Sequence, residues 1–113
     1  RPEQAVWGFL KMGDKEAAKQ FALKAVVDRP SSAGLQELLG EIAISENDDA
    51  LGLEYYRRAA ELEPNSHSIH FKLAKILVRV GMREEAIAHA DAAAQLSPSP
   101  EYRALLQDLM SGR

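Results

Sequence analysis

Ala59-Ala60-Glu61-Leu62-Glu63-Pro64 returns 34 residues later as Ala93-Ala94-Gln95-Leu96-Ser97-Pro98. Pro30 extends the series backward at the same interval, so three prolines mark one period. The same offset relates Ala25 to Ala59 and Ala93, Ala18 to Gly52 and Ala86, Gly13 to Asn47 and Gly81, and Leu39 to Leu73. That many coincident columns define a true internal repeat. A period of this size marks an architecture whose units bury their apolar faces against their neighbours.

Within each period the apolar spacing is helical. Leu39, Ala43 and Ile44 form one stretch, and Leu51, Tyr55, Tyr56, Ala59, Ala60 and Leu62 form the next. One period on, His70, Leu73, Ala74 and Leu77 precede Gly81, while Ala86, Ile87, Ala90, Ala93, Ala94 and Leu96 follow it. Gly13 and Gly81 suit the positive φ that ends a first helix, Asn47 is the next most tolerant residue for that slot, and the prolines stop each second helix. These signals predict helices at 2–12, 14–28, 32–45, 48–62, 66–80, 82–96 and 100–111, with Ser31-Ser32, Asp48 and Ser66 as candidate N-caps. Loops this short make successive helices antiparallel hairpins. Small residues mark the crossings: Ala18, Gly52 and Ala86 where the second helix meets the first, and Ala25, Ala59 and Ala93 where it meets the next pair.

At 113 residues, 46% hydrophobic and 27% charged, the composition is that of one globular domain. A net charge of −3 without a long block of either sign argues against nucleic acid or a polybasic membrane surface as partner. The absence of cysteine excludes disulfides, thiolate metal sites and a Cys nucleophile. Apolar runs such as Ile76-Leu77-Val78 fall far short of the ~20 residues of a membrane helix, so direct insertion into a bilayer by this segment is not expected.

The residues Leu39-Gly40, Leu73-Ala74, Gly81 through Glu84-Glu85-Ala86-Ile87, Tyr55-Tyr56-Arg57-Arg58-Ala59 and the Leu-x-Pro endings resemble the tetratricopeptide repeat family. The resemblance implies an all-α, right-handed α-solenoid of three helix-turn-helix units with a C-terminal capping or half-repeat helix. Repeat 1 would cover about 1–32, truncated at its start, repeat 2 about 33–66, repeat 3 about 67–98 and the final helix about 100–111, all one domain cut from a longer array. Two departures stand out. Gln36 and His70 occupy the place of the family's first-helix aromatic, and its second-helix aromatic survives only as Tyr56, with Ala22 and Ala90 at the matching sites. Tyr102, Leu105, Leu106 and Leu109 repeat the His70, Leu73, Ala74 and Leu77 spacing at an offset of 32.

In the family, the first helices line a concave groove that holds a peptide or a partner's helix. Carried onto this chain, the groove stripes are Glu3, Trp7 and Leu10; Glu37, Glu41 and Ile44; and Phe71, Lys75 and Val78. Gln4, Leu38 and Lys72 border them on one side, and Lys11, Ser45 and Arg79 on the other. Each stripe has i, i+4, i+7 spacing and so shares a helix face. Aromatics beside charge are the composition of a contact surface, which favours Phe71; for Trp7 the stronger reading is core that an upstream repeat normally covers. Chaperone-binding members grip a partner's C-terminal carboxylate with Lys, Asn and Arg. The matching places here hold Glu3, Trp7, Leu38, Ser68 and Lys72, and Glu37 and Glu41 would repel an acidic tail.

His67 and His70 stand at i, i+3, with His89 available as a third imidazole, but no carboxylate or cysteine completes a ligand set and no metal is expected. The adjacent acids Glu84-Glu85 and Asp48-Asp49 diverge on a helix and read as first-turn residues favoured by the dipole. No Gly-rich phosphate loop, GxSxG or HExxH is present, so neither an enzyme nor a cofactor is expected. The chain therefore reads as a non-catalytic scaffold that binds another protein, a peptide segment or a folded enzyme, through the groove. The rival readings are an architectural spacer or self-association module, and a regulatory domain of a larger enzyme. The style of the repeats is similar to bacterial arrays of exopolysaccharide export proteins, which implies a periplasmic setting over a cytoplasmic one.

Overall fold

A computed structural model describes residues 1–112. The elements are α1 (Pro2–Lys11), α2 (Lys15–Asp28), α3 (Ala33–Ser45), α4 (Asp49–Leu62), α5 (His67–Arg79), α6 (Arg83–Leu96) and α7 (Pro100–Met110), with no strand among the described residues. Every boundary falls within one residue of the helices predicted from the sequence. The fold is an all-α helical repeat solenoid.

Local chemistry sets the ends of the helices. Ser32, Asp48 and Ser66 accept from the backbone N–H three residues on, at 3.1, 3.1 and 3.4 Å. Asp14 and Ser99 do the same for α2 and α7, at 3.0 and 3.5 Å, and were not anticipated as caps. Each such cap contributes about 0.5–2 kcal/mol. Ser31 caps nothing; its neighbour Ser32 has the extended backbone that an N-cap needs.

The turn inside each hairpin is one structure used three times. Gly13, Asn47 and Gly81 have φ of 79°, 64° and 83°. The next residue in each case, Asp14, Asp48 or Met82, donates its N–H back to Phe9, Ala43 or Leu77 at 2.9, 2.9 and 2.8 Å. This is the 6→1 bond of a helix end closed by a left-handed residue, and it reverses the chain in minimal length. The second helices end at Asp28, Leu62 and Leu96, each two residues before its proline.

The chain divides into two compact units, Arg1–Leu62 with α1–α4 and a second beginning at Glu63 with α5–α7. In the first, Val6, Ala18, Ala22, Leu35, Leu38, Leu39 and Ile42 form a buried cluster, with Phe9, Leu10, Leu23 and Tyr55 packed against it. The α3–α4 crossing is close because two glycines face it. A Cβ on Gly40 would lie 2.8 Å from the Tyr56 ring, and one on Gly52 would lie 2.6 Å from Ile44 Cγ1.

In the second unit, α6 packs against both α5 and α7. Leu73, Ala74 and Leu77 on α5, Ala86, Ala90 and Ala93 on α6, and Tyr102 and Leu109 on α7 are buried. The Arg83 guanidinium donates to the Leu109 carbonyl, tying the start of α6 to the end of α7. No described helix is long and apolar enough to cross a membrane.

Candidate functional site

The candidate contact residues lie on α1 and α3 in the first unit and on α5 in the second. On α1, Val6 turns inward and is fully buried, which leaves the next side chain, Trp7, outward and 52% exposed. Leu10 is half-buried: part of it packs on the core, and the rest lines an open depression of about 260 Å³ with Gly13, Lys15, Glu41, Ile42 and Ser45. The structure thus brings Leu10 of α1 and Glu41 of α3 to one place. Lys15, at the start of α2, joins them there and had no place among the predicted stripes. Lys15 belongs to a second helix, whereas the groove stripes of the repeat frame lie on first helices.

Glu37 and Glu41 are half-buried on α3. The Tyr56 hydroxyl is pushed up from its ordinary pKa mainly by burial, with the negative charges of Glu41 and Glu37 adding to the shift. Ile44 is committed in part to the hairpin, since it fills the space above Gly52. Glu3 also has a structural partner: Ser32 Oγ donates to its Oε2 at 2.6 Å while accepting from Leu35 N–H at 3.1 Å. One hydroxyl therefore caps α3 and fastens it to α1. That bond is the largest of the effects holding the Glu3 carboxyl below the usual carboxylate range; a backbone hydrogen bond and Arg29 add to it, and burial opposes it.

On α5, the Phe71 ring lies 4.6 Å from the ring of Tyr102, tilted by 39°. Its other neighbour is the Lys75 ammonium, 4.8 Å from the ring centroid, at cation–π distance. Phe71 is consequently half-buried rather than bare. Lys72 is half-buried as well, Val78 is 41% exposed, and Lys75 and Arg79 are exposed. Tyr102 is a residue that the groove reading missed as a partner of Phe71, although its alignment with His70 at an offset of 32 marked it as a packing position.

The three histidines do not converge on one point. His67 Nδ1 meets the Tyr102 hydroxyl at 2.8 Å, while His70 Nδ1 meets His89 Nδ1 at 2.9 Å. No group of three His, Cys, Asp or Glu side chains among the described residues is arranged to hold a metal ion. Glu85, one turn before His89 on α6, comes within 3.8 Å of its Nε2.

A family model described as tetratricopeptide repeat matches residues 33–66, the unit made by α3 and α4. That match covers one repeat, less than a third of the chain. Solved structures extend the likeness in fold to nearly the whole chain. The first tetratricopeptide domain of Spaghetti (RPAP3), bound to the HSP90 peptide SRMEEVD, superposes with a TM-score of 0.88 at 14% identity, over 98% of this chain and 89% of that one. The type III secretion translocator chaperone SycD of Yersinia enterocolitica gives 0.78 at 19% identity, over 97% and 77%. The Thermobaculum terrenum O-GlcNAc transferase gives 0.82 at 23% identity over 96% of this chain, which spans only 21% of that enzyme's length. No curated protein sequence matches the chain. Within the matched residues, Gly52 lies at the α3–α4 crossing, as expected of a small residue in that column, and Gly40 and Tyr56 meet there too.

Proposed function

We propose that this chain is a non-catalytic protein-interaction scaffold. Residues 1–113 act as one tetratricopeptide domain and bind a partner protein through the first-helix faces that carry Trp7, Leu10, Glu37, Glu41, Ile44, Phe71, Lys72, Lys75, Val78 and Arg79. The observation that carries the reading is the depression where Leu10, Glu41, Lys15 and Ser45 meet, with Trp7 half-exposed one turn before Leu10 on α1. It offers apolar surface next to both signs of charge, the mixture that anchors a peptide and orients it.

Two neighbours in fold support the class of ligand. The RPAP3 domain holds an HSP90 peptide, and SycD was solved in complex with a peptide of the translocator YopD. The acidic C-terminal tail is a poor candidate for this chain. Glu3, Trp7, Leu38, Ser68 and Lys72 stand where chaperone-binding members place their carboxylate-gripping bases, and Glu37 and Glu41 add negative charge. The finer form of the proposal makes the partner an enzyme of a bacterial envelope or polysaccharide-export complex. It rests on the resemblance of the repeats alone, and the neighbours in fold come from other systems.

The test is capture of partners on the immobilised chain, followed by affinity measurement with Trp7→Ala and Glu41→Lys, two variants at side chains that are not fully buried. Loss of tenfold or more in affinity, with helicity by circular dichroism unchanged, supports the groove reading; a loss of that size corresponds to about 1.4 kcal/mol. Equal affinity in both variants would move the interface elsewhere on the surface.

A further inference from the structure

His70 on α5 and His89 on α6 approach through their Nδ1 atoms at 2.9 Å, with ring centroids 5.1 Å apart and planes inclined by 25°. That centroid separation is close to the largest that two imidazoles can have at such a nitrogen distance. The nitrogens therefore meet head on, in an N–H···N hydrogen bond, with no room between them for a metal ion. A third group fixes the direction of the bond. His70 Nε2 lies 2.6 Å from the Pro64 carbonyl oxygen, which can only accept. Nε2 of His70 thus carries the hydrogen, its Nδ1 offers a lone pair, and His89 Nδ1 donates. The remaining nitrogen, His89 Nε2, faces the Glu85 carboxylate at 3.8 Å.

We propose that His70 and His89 form a proton-limited clasp between α5 and α6 that accepts one proton and opens on the second. The first proton taken up on acidification goes to His89 Nε2, opposite the Glu85 carboxylate, and leaves every hydrogen bond of the chain Pro64–His70–His89 in place. A second has only His70 Nδ1 to bind, and there two N–H groups would confront each other at 2.9 Å. The folded pair therefore holds one proton fewer than the two free imidazoles of the unfolded chain. Other titratable groups of this unit stand on the same elements. On α5, His67 is engaged by Tyr102 of α7; in the turn before α5, Glu63 beside Pro64 is exposed; on α6, Glu85 already faces His89.

The second repeat supplies a control that does not titrate. Gln36 stands 34 residues before His70 and donates its Nε2 to the Pro30 carbonyl at 3.4 Å, as His70 does to Pro64. His70→Gln therefore copies a side chain that this frame already accepts, keeps the carbonyl bond and removes the conflict.

The sign follows from linkage: where the unfolded state binds one more proton, the folding constant falls tenfold per pH unit on further acidification. Urea unfolding of the full chain at pH 7.5, 6.5 and 5.5 should show the wild type losing about fivefold more of its folding constant than His70→Gln in the last step, which begins near the ordinary histidine pKa of about 6.5. His67 is common to both proteins and cancels. His89→Gln, whose amide can either donate or accept, should lose the same pH dependence. In parallel, 15N spectra of the folded wild type should show His89 becoming doubly protonated while His70 keeps a bare Nδ1. Equal pH slopes in wild type and His70→Gln, or a folded protein in which both rings become imidazolium, would overturn the clasp. None of these readouts depends on the groove or on a partner.

Discussion

Gly40 and Tyr56 fill one space between them: the ring stands 2.8 Å from where a Cβ on Gly40 would be. The corresponding pair one repeat later is Ala74 with Ala90, and one repeat earlier it is Val6 with Ala22, all four fully buried. Gly40 with Tyr56 and Val6 with Ala22 each set a larger residue against a smaller one, whereas Ala74 with Ala90 sets two small residues together. Close packing is thus met at the same repeat position by different combinations of residues.

Gly40→Ala should therefore destabilise the chain by about 1–3 kcal/mol through overpacking, and Tyr56→Ala by about 3–5 kcal/mol through a cavity. The double variant reproduces the Ala74–Ala90 pair, so its cost should fall below the sum of the single changes by at least 1 kcal/mol, a coupling of the size seen for residues in contact. Denaturant unfolding of all four proteins measures that coupling. Strict additivity would mean that the two positions do not compensate.

The Glu3–Ser32 bond gives an acid dependence of the same sign as the histidine pair, since in both cases the folded state binds fewer protons, but here it is the ionised group that the fold favours. The folded-state pKa of Glu3 lies below its ordinary value of 4.5, so its contribution is present above that value and is lost as the pH falls through the lower folded value. Glu3→Gln should flatten this part of the acid limb while leaving stability at pH 7 reduced by less than the cap itself contributes. Ser32→Ala removes both the α1 tether and the cap of α3, and should cost about 0.5–2 kcal/mol from the cap alone. Chemical denaturation from pH 3 to pH 7 separates the two effects.

Phe71 and Lys75 belong to the same predicted stripe but should differ in stability. The Phe71 ring is packed on Tyr102, so Phe71→Ala should cost about 1–3 kcal/mol and weaken the attachment of α7. Lys75 is exposed, and Lys75→Glu should stay within about 0.5 kcal/mol of wild type. Thermal unfolding of both variants decides this. A Phe71→Ala protein as stable as wild type would show that the ring contributes to binding alone. Otherwise Lys75→Glu is the cleaner probe of a partner on this face.

The positions of the seven helices, their caps at Ser32, Asp48 and Ser66 and the left-handed turns at Gly13, Asn47 and Gly81 were all legible in the sequence. Each depends on bonds that span three to five residues, so residue type and spacing are enough to specify them. The sequence also marked Gln36 and His70 as unusual occupants of a packing position. It left open which partner each polar side chain would choose. Ser32 reaches back to Glu3, Phe71 turns to Tyr102, and His70 pairs with His89 instead of His67, its neighbour at helical spacing. Those choices follow from how closely the helices approach and from which side-chain volumes fill the crossings. They are set jointly by residues far apart in the chain, and only the tertiary structure brings those residues within reach of one another.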